Sequence, residues 1–343
     1  MTDSPTARRA PTLDDVARQA GVSLATASRV LNGSTRRVAD AYRDKVAAAA
    51  ESLGYSANLS AQATARGTSA VVSLVVADIA DPYFGQIAAG VAREASAAGL
   101  HVTIAVAGRD AEREADVVRM LRGQRPHTVI LATSRAGDRL PPELRREVDA
   151  VIDAGGRVVA LGADVAPATA LPIANGEGAA ALARALARRG YARAILLGAA
   201  AGIRTSDDRL DGFRRGFEAA GGEIVGVRRG AFTRDAGEEQ MRAALRDGVA
   251  AGSLVFGVSD VVAIGAMAAV RAANRTIGAD IAVAGFDDIP TARDVTPGLS
   301  TVRLPLEEIG ARALRLALDD PSESAGPLRE PEVVLRASTP ERA

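Results

Sequence analysis

From Ala70 onward the chain repeats one pattern, a short and almost wholly apolar run followed by an amphipathic stretch of ten or more residues. Strands that alternate with helices and lack internal polar alternation are those of a parallel sheet, buried on both faces by its crossover helices. The runs Val71–Ala77, His101–Ala107, Thr128–Ala132, Arg157–Leu161, Ala194–Gly198, Ile224–Val227, Ser253–Phe256 and Ile281–Gly285 are the expected strands. Between them, helices are expected near Phe84–Ala98, Arg113–Leu121, Pro142–Ala154, Glu177–Arg189, Arg209–Ala220, Glu238–Arg246, Asp260–Ala273 and Leu306–Leu318. About 270 residues of this repetition exceed one comfortable core, which favours two α/β lobes with a ligand cleft between them.

The segment before Ala70 has a different grammar. Thr12 can cap a helix with Leu13, Val16, Ala17 and Ala20 on one face and Asp14 and Asp15 in its first turn, where the helix dipole favours acids. Gly21 breaks that helix, Ser23 is the next candidate cap, and Leu24–Leu31 then turns Ala27, Val30 and Leu31 inward. Asn32-Gly33 reads as a turn, and a third helix over Asp40–Leu53 faces Tyr42, Val46, Ala49, Ala50 and Leu53 inward. Helix, glycine turn, Ser-capped helix and third helix form the layout of a helix-turn-helix module. Residues 56–69 are polar or small and lack the large apolar groups of a core, so they read as a linker or a conditional helix.

Charge separates the same two parts. The net charge is zero, yet residues 1–69 hold nine Lys or Arg against six Asp or Glu, leaving the remainder acidic by three. A basic head on an acidic body points to a polyanion partner. The chain has no cysteine and only His101 and His127, which removes thiol nucleophiles, thiolate metal sites and most histidine chemistry. No metal or cofactor is expected. No run of 18 apolar residues occurs and the first residues do not read as a secretory signal, so the expectation is a soluble, cytoplasmic protein with no membrane partner.

The string Thr12-Leu-Asp-Asp-Val-Ala-Arg-Gln-Ala-Gly-Val-Ser-Leu-Ala-Thr-Ala-Ser-Arg-Val-Leu-Asn32 closely resembles the DNA-binding head of the lactose-repressor (LacI/GalR) family of bacterial transcription regulators. The resemblance continues through Val38, Arg43, Lys45-Val46, Leu53-Gly54-Tyr55 and Asn58. In the body it runs through Asp81-Pro82-Tyr83-Phe84, Asp208-Arg209-Leu210, Gly212-Phe213, Phe232-Thr233, Gly285-Phe286-Asp287-Asp288 and Ser300-Thr301-Val302-Arg303, in the family's order. It implies a helix-turn-helix domain over 12–57 after a flexible start at 1–11, a hinge helix over 58–69, and a two-lobed periplasmic-binding-protein-like domain over 70–343 with parallel sheets. The function implied is that of a regulator, a repressor by preference, binding double-stranded DNA as a homodimer on a near-palindromic operator.

A recognition helix starting at Ser23 points Leu24, Ala25, Thr26 and Arg29 at the major groove, because residues near its N-terminus reach base edges. Arg29 is the expected reader, since a guanidinium engages guanine O6 and N7 together, worth about 1–3 kcal/mol of discrimination; the plain alternative is a phosphate clamp. Leu24 and Ala25 offer apolar contact to a thymine methyl, or read nothing. Thr12, Ser23, Thr26, Ser28, Asn32, Arg36 and Arg37 would supply phosphate contacts that set register. In the family the hinge helix lies in the minor groove and wedges a leucine into a base step. In that register Asn58, Ala61 and Arg66 lie against the groove, and Thr64 occupies the wedge position. A small hydroxylated side chain unstacks bases poorly, so a weaker central kink is expected.

The resemblance also places a small-molecule effector in the interlobe cleft. Tyr83 and Phe84 would form one wall, Phe232 would stack on a ligand ring, Arg209 would hydrogen-bond it, and Asp287 would accept from hydroxyls or ring N–H groups, a mixture that suits a sugar or a nucleoside. Asn175 and Ser259 complete the expected lining. Around them the chain departs from the family, with Ser259-Asp260 where Asn-Asp is common and Ala174-Asn175 where Asp-Asn is, which predicts fewer hydroxyl contacts. The alternatives are that the aromatics are core and that Arg209 and Asp287 form a structural ion pair. A tetramer built on a C-terminal helical bundle is not expected.

Catalysis is disfavoured. The chain has no G-x-G-x-x-G after a strand, no phosphate-binding G-x-x-x-x-G-K-[ST] and no G-x-S-x-G elbow, and neighbouring Asp287 and Asp288 should point to opposite sides. A regulator of the same fold that answers mainly to a protein partner is the other alternative.

Overall fold

The computed structural model describes residues 11–31, 38–56, 68–134, 140–162, 166–318 and 328–342. The chain divides into two compact units, Met1–Ser69 and Ala70–Ala343.

Helix α1 (Leu13–Ala20) is opened by a capping box in which Thr12 Oγ1 accepts the Asp15 N–H and Asp15 accepts the Thr12 N–H. It closes at Gly21, whose φ of 65° is the left-handed conformation that glycine adopts without a Cβ penalty. In α2 (Leu24–Leu31) the Ser23 Oγ accepts the Thr26 N–H at 3.1 Å. With α3 (Asp40–Leu53), these helices bury Val16, Ala17, Ala27, Val46, Ala49 and Ala50. Tyr42 departs from the sequence reading and is 50% exposed, because the buried face of α3 begins at Val46 and the first turn extends past this small core.

The second unit holds two parallel sheets. In the first, β1 (Val71–Val76), β2 (His101–Val106), β3 (Thr128–Ala132), β4 (Arg157–Leu161) and β5 (Thr169–Leu171) lie in the order β2-β1-β3-β4-β5. Val72, Leu74 and Val76 pack with α4 (Pro82–Ala97), while Val75 faces α5 (Ala111–Arg122) and α6 (Pro142–Asp153) on the other side. Then come α7 (Asn175–Arg188), β6 (Arg193–Ala199), α8 (Arg204–Glu218), β7 (Glu223–Gly230), α9 (Arg234–Arg246), β8 (Leu254–Gly257), α10 (Asp260–Ala272) and β9 (Ala282–Ala284). Their sheet has the order β7-β6-β8-β9. A short helix, α11 (Thr291–Asp294), leads to β10 (Thr301–Arg303), which pairs antiparallel with β11 (Glu332–Val334).

Between β10 and β11 the chain returns to the first lobe as α12 (Leu306–Leu318), which packs on α4. Their backbones touch at two glycines: a Cβ on Gly90 would lie 1.9 Å from the Glu307 carbonyl oxygen, and one on Gly310 would lie 2.0 Å from that of Ile87. Gly237 and Gly265 allow the same close crossing of α9 and α10. The eight anticipated strands and eight body helices are all present, with shifted ends. The elements β5, β10, β11 and α11 were not anticipated, because three or four residues are too few to display a period. Among the described residues no helix is long and apolar enough to cross a membrane.

Candidate functional site

Between the two lobes lies a cavity. Its walls come from the carboxyl ends of parallel strands, the edge at which open α/β sheets present their ligands. The first lobe gives Asp81, Tyr83 and Phe84 after β1, Arg109 after β2, Thr133 and Ser134 after β3, and Leu161 and Gly162 at β4. The second gives Thr205 and Arg209 after β6, Phe232 after β7 and Asp287 after β9, with Ile173 on the crossing between lobes.

Arg209 and Asp287 are the centre of the second-lobe wall, both almost wholly buried. Nη2 of Arg209 lies 2.8 Å from Asp287 Oδ1, and Nη1 donates to Oδ2 at 3.2 Å and to the Val258 carbonyl at 2.8 Å. Its Nε donates to Asn175 Oδ1 at 2.8 Å, and its guanidinium stacks 4.0 Å above the Phe286 ring. Asp287 is thus both cavity lining and half of an ion pair. Burial pushes its carboxyl up to about 7, against the pull of the Arg209 charge. Its φ of 113°, and 55° at Asp288, are uncommon for residues with a Cβ. Asp288 turns away from the cavity to Arg303 at 2.7 Å and Arg336 at 2.6 Å.

Across the cavity, Tyr83 and Phe84 meet edge to face at 5.0 Å, with Phe84 also part of the core. Burial raises the Tyr83 phenol above its ordinary value, so it remains a neutral donor. Asp81 caps α4 by accepting the Tyr83 N–H at 3.0 Å, and burial raises its carboxyl as well. The Phe232 ring carries on one face the guanidinium of Arg109, 4.7 Å from its centroid, so a cation from the first lobe touches an aromatic of the second. Three cavity atoms, Arg109 Nε, Ser134 Oγ and Asp287 Oδ1, are buried without a hydrogen-bond partner among the described residues, although Oδ1 lies 2.8 Å from Arg209 Nη2.

Tyr83, Phe84, Arg209, Phe232 and Asp287 therefore come together in one cavity, and two expected members do not line it. Asn175 is buried behind Arg209 and holds its Nε, because its place at the start of α7 sets it beneath the guanidinium. Ser259 is the N-cap of α10 and accepts the Val262 N–H, a helix-start role that consumes its hydroxyl. Asp260 is buried too, accepting from the Thr301 hydroxyl at 2.6 Å and the Ile289 N–H at 2.9 Å. The departure from the family at 259 thus falls behind the wall. Asp81, Arg109, Thr133, Ser134 and Thr205 were missed; the signal for Arg109, Thr133 and Ser134 was their position just past an apolar strand.

In the head, Leu24, Ala25 and Arg29 are exposed along α2, with Leu24 at 50%. Ser23 and Thr26 share a 2.9 Å hydroxyl contact at its start, and Ser28 is half-buried. The Thr12 hydroxyl is engaged with Asp15 in the capping box. Asn32, Arg36, Arg37, Asn58, Ala61, Thr64 and Arg66 lie outside the described residues.

A helix-turn-helix head on a two-lobed α/β body of the periplasmic-binding type defines a class of bacterial transcription regulator. Residues 12–58 match the model of bacterial regulatory proteins of the lacI family, and residues 183–339 match that of the periplasmic binding protein-like domain. The transcriptional regulator CelR of Thermobifida fusca is 32% identical, covering 96% of this chain and 99% of its own. The regulator GalS of Salmonella typhimurium is also 32% identical, covering 90% and 89%. Among solved structures, the Lac repressor dimer bound to operator and the anti-inducer ONPF superposes with a TM-score of 0.80 at 25% identity, covering 97% of this chain and all of that one. A CelR–cellobiose complex gives 0.67 at 30% identity, covering 96% and 99%. The chain belongs to the LacI family of DNA-binding transcriptional regulators and is not an enzyme.

Proposed function

We propose that this regulator binds a near-palindromic operator as a homodimer, and that a small molecule, sugar-like or nucleoside-like, controls it from the interlobe cavity. The observation that carries the reading is the cavity, where aromatic faces at Tyr83 and Phe232 surround the directed polar groups of Arg209 and Asp287. That composition suits a ring bearing hydroxyls or N–H groups. The solved CelR relative has cellobiose bound, which supports the same class. On the DNA side, the exposed Leu24, Ala25 and Arg29 supply base contacts. Dimerisation is supported by β2, an edge strand that leaves Ile104 and Val106 exposed and so offers an unpartnered apolar edge. One head holds too few cations to keep a site at physiological salt, which also favours two.

An effector that prefers one lobe arrangement by about 1–3 kcal/mol shifts operator affinity by about 5- to 150-fold. Calorimetry against a panel of sugars and nucleosides, with each binder then added to operator gel shifts, tests this. A panel member that binds and changes operator affinity is the expected result; binding with no change in affinity overturns the control reading.

A further inference from the structure

Charge in the cavity narrows the class of effector, an inference that rests on the small-molecule reading above. We propose that the effector carries an oxyanion, a carboxylate or a phosphate, held by Arg109 with help from Ser134 and the start of α8.

The cavity is lined by two cations and two carboxyl groups, and they are not equivalent. Arg209 is matched in charge: it is paired with Asp287, and its Nε and Nη1 also donate to Asn175 and the Val258 carbonyl. Arg109 has no ion pair within 4.0 Å among the described residues, and its Nε is buried with no acceptor. Its contact with Phe232 orients the guanidinium across the cavity without neutralising it. The nearest carboxylates, Asp81 and Asp78, act on it only through space, and an oxygen of each is bound to a backbone N–H, of Tyr83 and Ala80 respectively. Burial disfavours charge on both Arg109 and Asp81, and of the two only the carboxyl can shed its charge, by taking up a proton.

Two further features point the same way. Ser134 Oγ is a buried hydroxyl in the cavity wall with no partner among the described residues, and so a free donor. Thr205 is the second residue of α8, a 15-residue helix whose N-cap is Ile203 and has no side-chain cap. The start of that helix therefore meets the cavity without a side-chain cap such as Asp81 supplies to α4, and with Asp207 in its first turn. A neutral sugar leaves Arg109 without a counter-charge, which an oxyanion supplies.

The test uses the full-length protein and inorganic phosphate, followed by thermal melting at constant ionic strength against chloride. Phosphate is expected to raise the melting temperature saturably, with apparent affinity at least tenfold weaker in Arg109→Gln, reduced in Ser134→Ala and largely kept in Arg109→Lys. Phosphate bound by the DNA-reading head is common to all variants and cancels. Glucuronate and glucose 6-phosphate, each measured against glucose, then separate a carboxylate from a phosphate. Phosphate stabilisation that is absent, or equal in wild type and Arg109→Gln, overturns the proposal, as does a neutral sugar that binds both proteins equally tightly. Failure of the regulator reading would show separately, as loss of discrete operator sites whatever Arg109 binds.

Discussion

Replacing Arg209 by Met tests whether the buried pair organises the cavity. The change keeps much of the side-chain stem but removes every donor to Asp287, to Asn175 Oδ1 and to the Val258 carbonyl. Breaking a buried pair from one side costs about 3–5 kcal/mol, because the remaining carboxyl must either stay charged without its partner or take up a proton, and that is the loss expected at pH 8. The loss should depend on pH in a defined sense. Asp287 titrates at about 7 in the intact pair; without Arg209 its carboxyl is pushed higher, so the variant holds the proton where wild type releases it. Below pH 7 both proteins carry a neutral carboxyl and only the hydrogen bonds are lost. Above it the difference grows by at most about 1.4 kcal/mol per pH unit. Urea unfolding of full-length protein at pH 6 and pH 8 measures both values. Adding Asp287→Asn to the Met variant removes the unpaired carboxyl, so a coupling of about 1–3 kcal/mol should appear in the double-mutant cycle. A loss below about 1 kcal/mol at both pH values, or zero coupling, refutes the assignment of Arg209 as the organiser of this wall.

Further outcomes follow from other parts of the structure. The carboxyls of Asp81, Asp260 and Asp287 are all raised by burial, so the folded state holds protons that the unfolded chain has released. Their contribution to stability is complete below pH 4 and is lost as pH rises, for Asp287 up to about 7. Asp287→Asn should flatten that fall by up to one proton, and an unchanged slope in pH-dependent urea melts would contradict it. Gly310→Ala should cost about 1–3 kcal/mol by forcing α4 and α12 apart, although alanine is the better helix former by about 1 kcal/mol; a stabilised variant in thermal melts would show that the contact yields. Circular-permutation gel shifts should find a weaker operator bend for wild type than for Thr64→Leu, and equal bends would remove the wedge argument.

Much of this was legible because periodicity reports burial. Runs such as Thr128–Ala132 are apolar at nearly every position since both faces of the first sheet are covered, and the capping box at Thr12 and Asp15 is a local signature. The cavity was only half legible for a physical reason. Tyr83, Phe232 and Asp287 sit in recognisable strings, but Arg109 matters through its contact with a residue 123 positions later, which no local pattern carries. Asn175 and Ser259 failed in the opposite sense. Their polarity was read as facing a ligand, whereas one orients Arg209 and the other starts α10. Tyr42 shows that helical spacing gives a face but not where the core along it ends.

Genome-wide footprinting of the purified protein, wild type and Arg29→Ala side by side, bears most directly on the account. The account predicts discrete, near-palindromic sites with half-sites about one helical turn apart, and an Arg29→Ala protein that loses discrimination at one base position in each half-site. Uniform, salt-limited binding to all sequences by a monomer would contradict it.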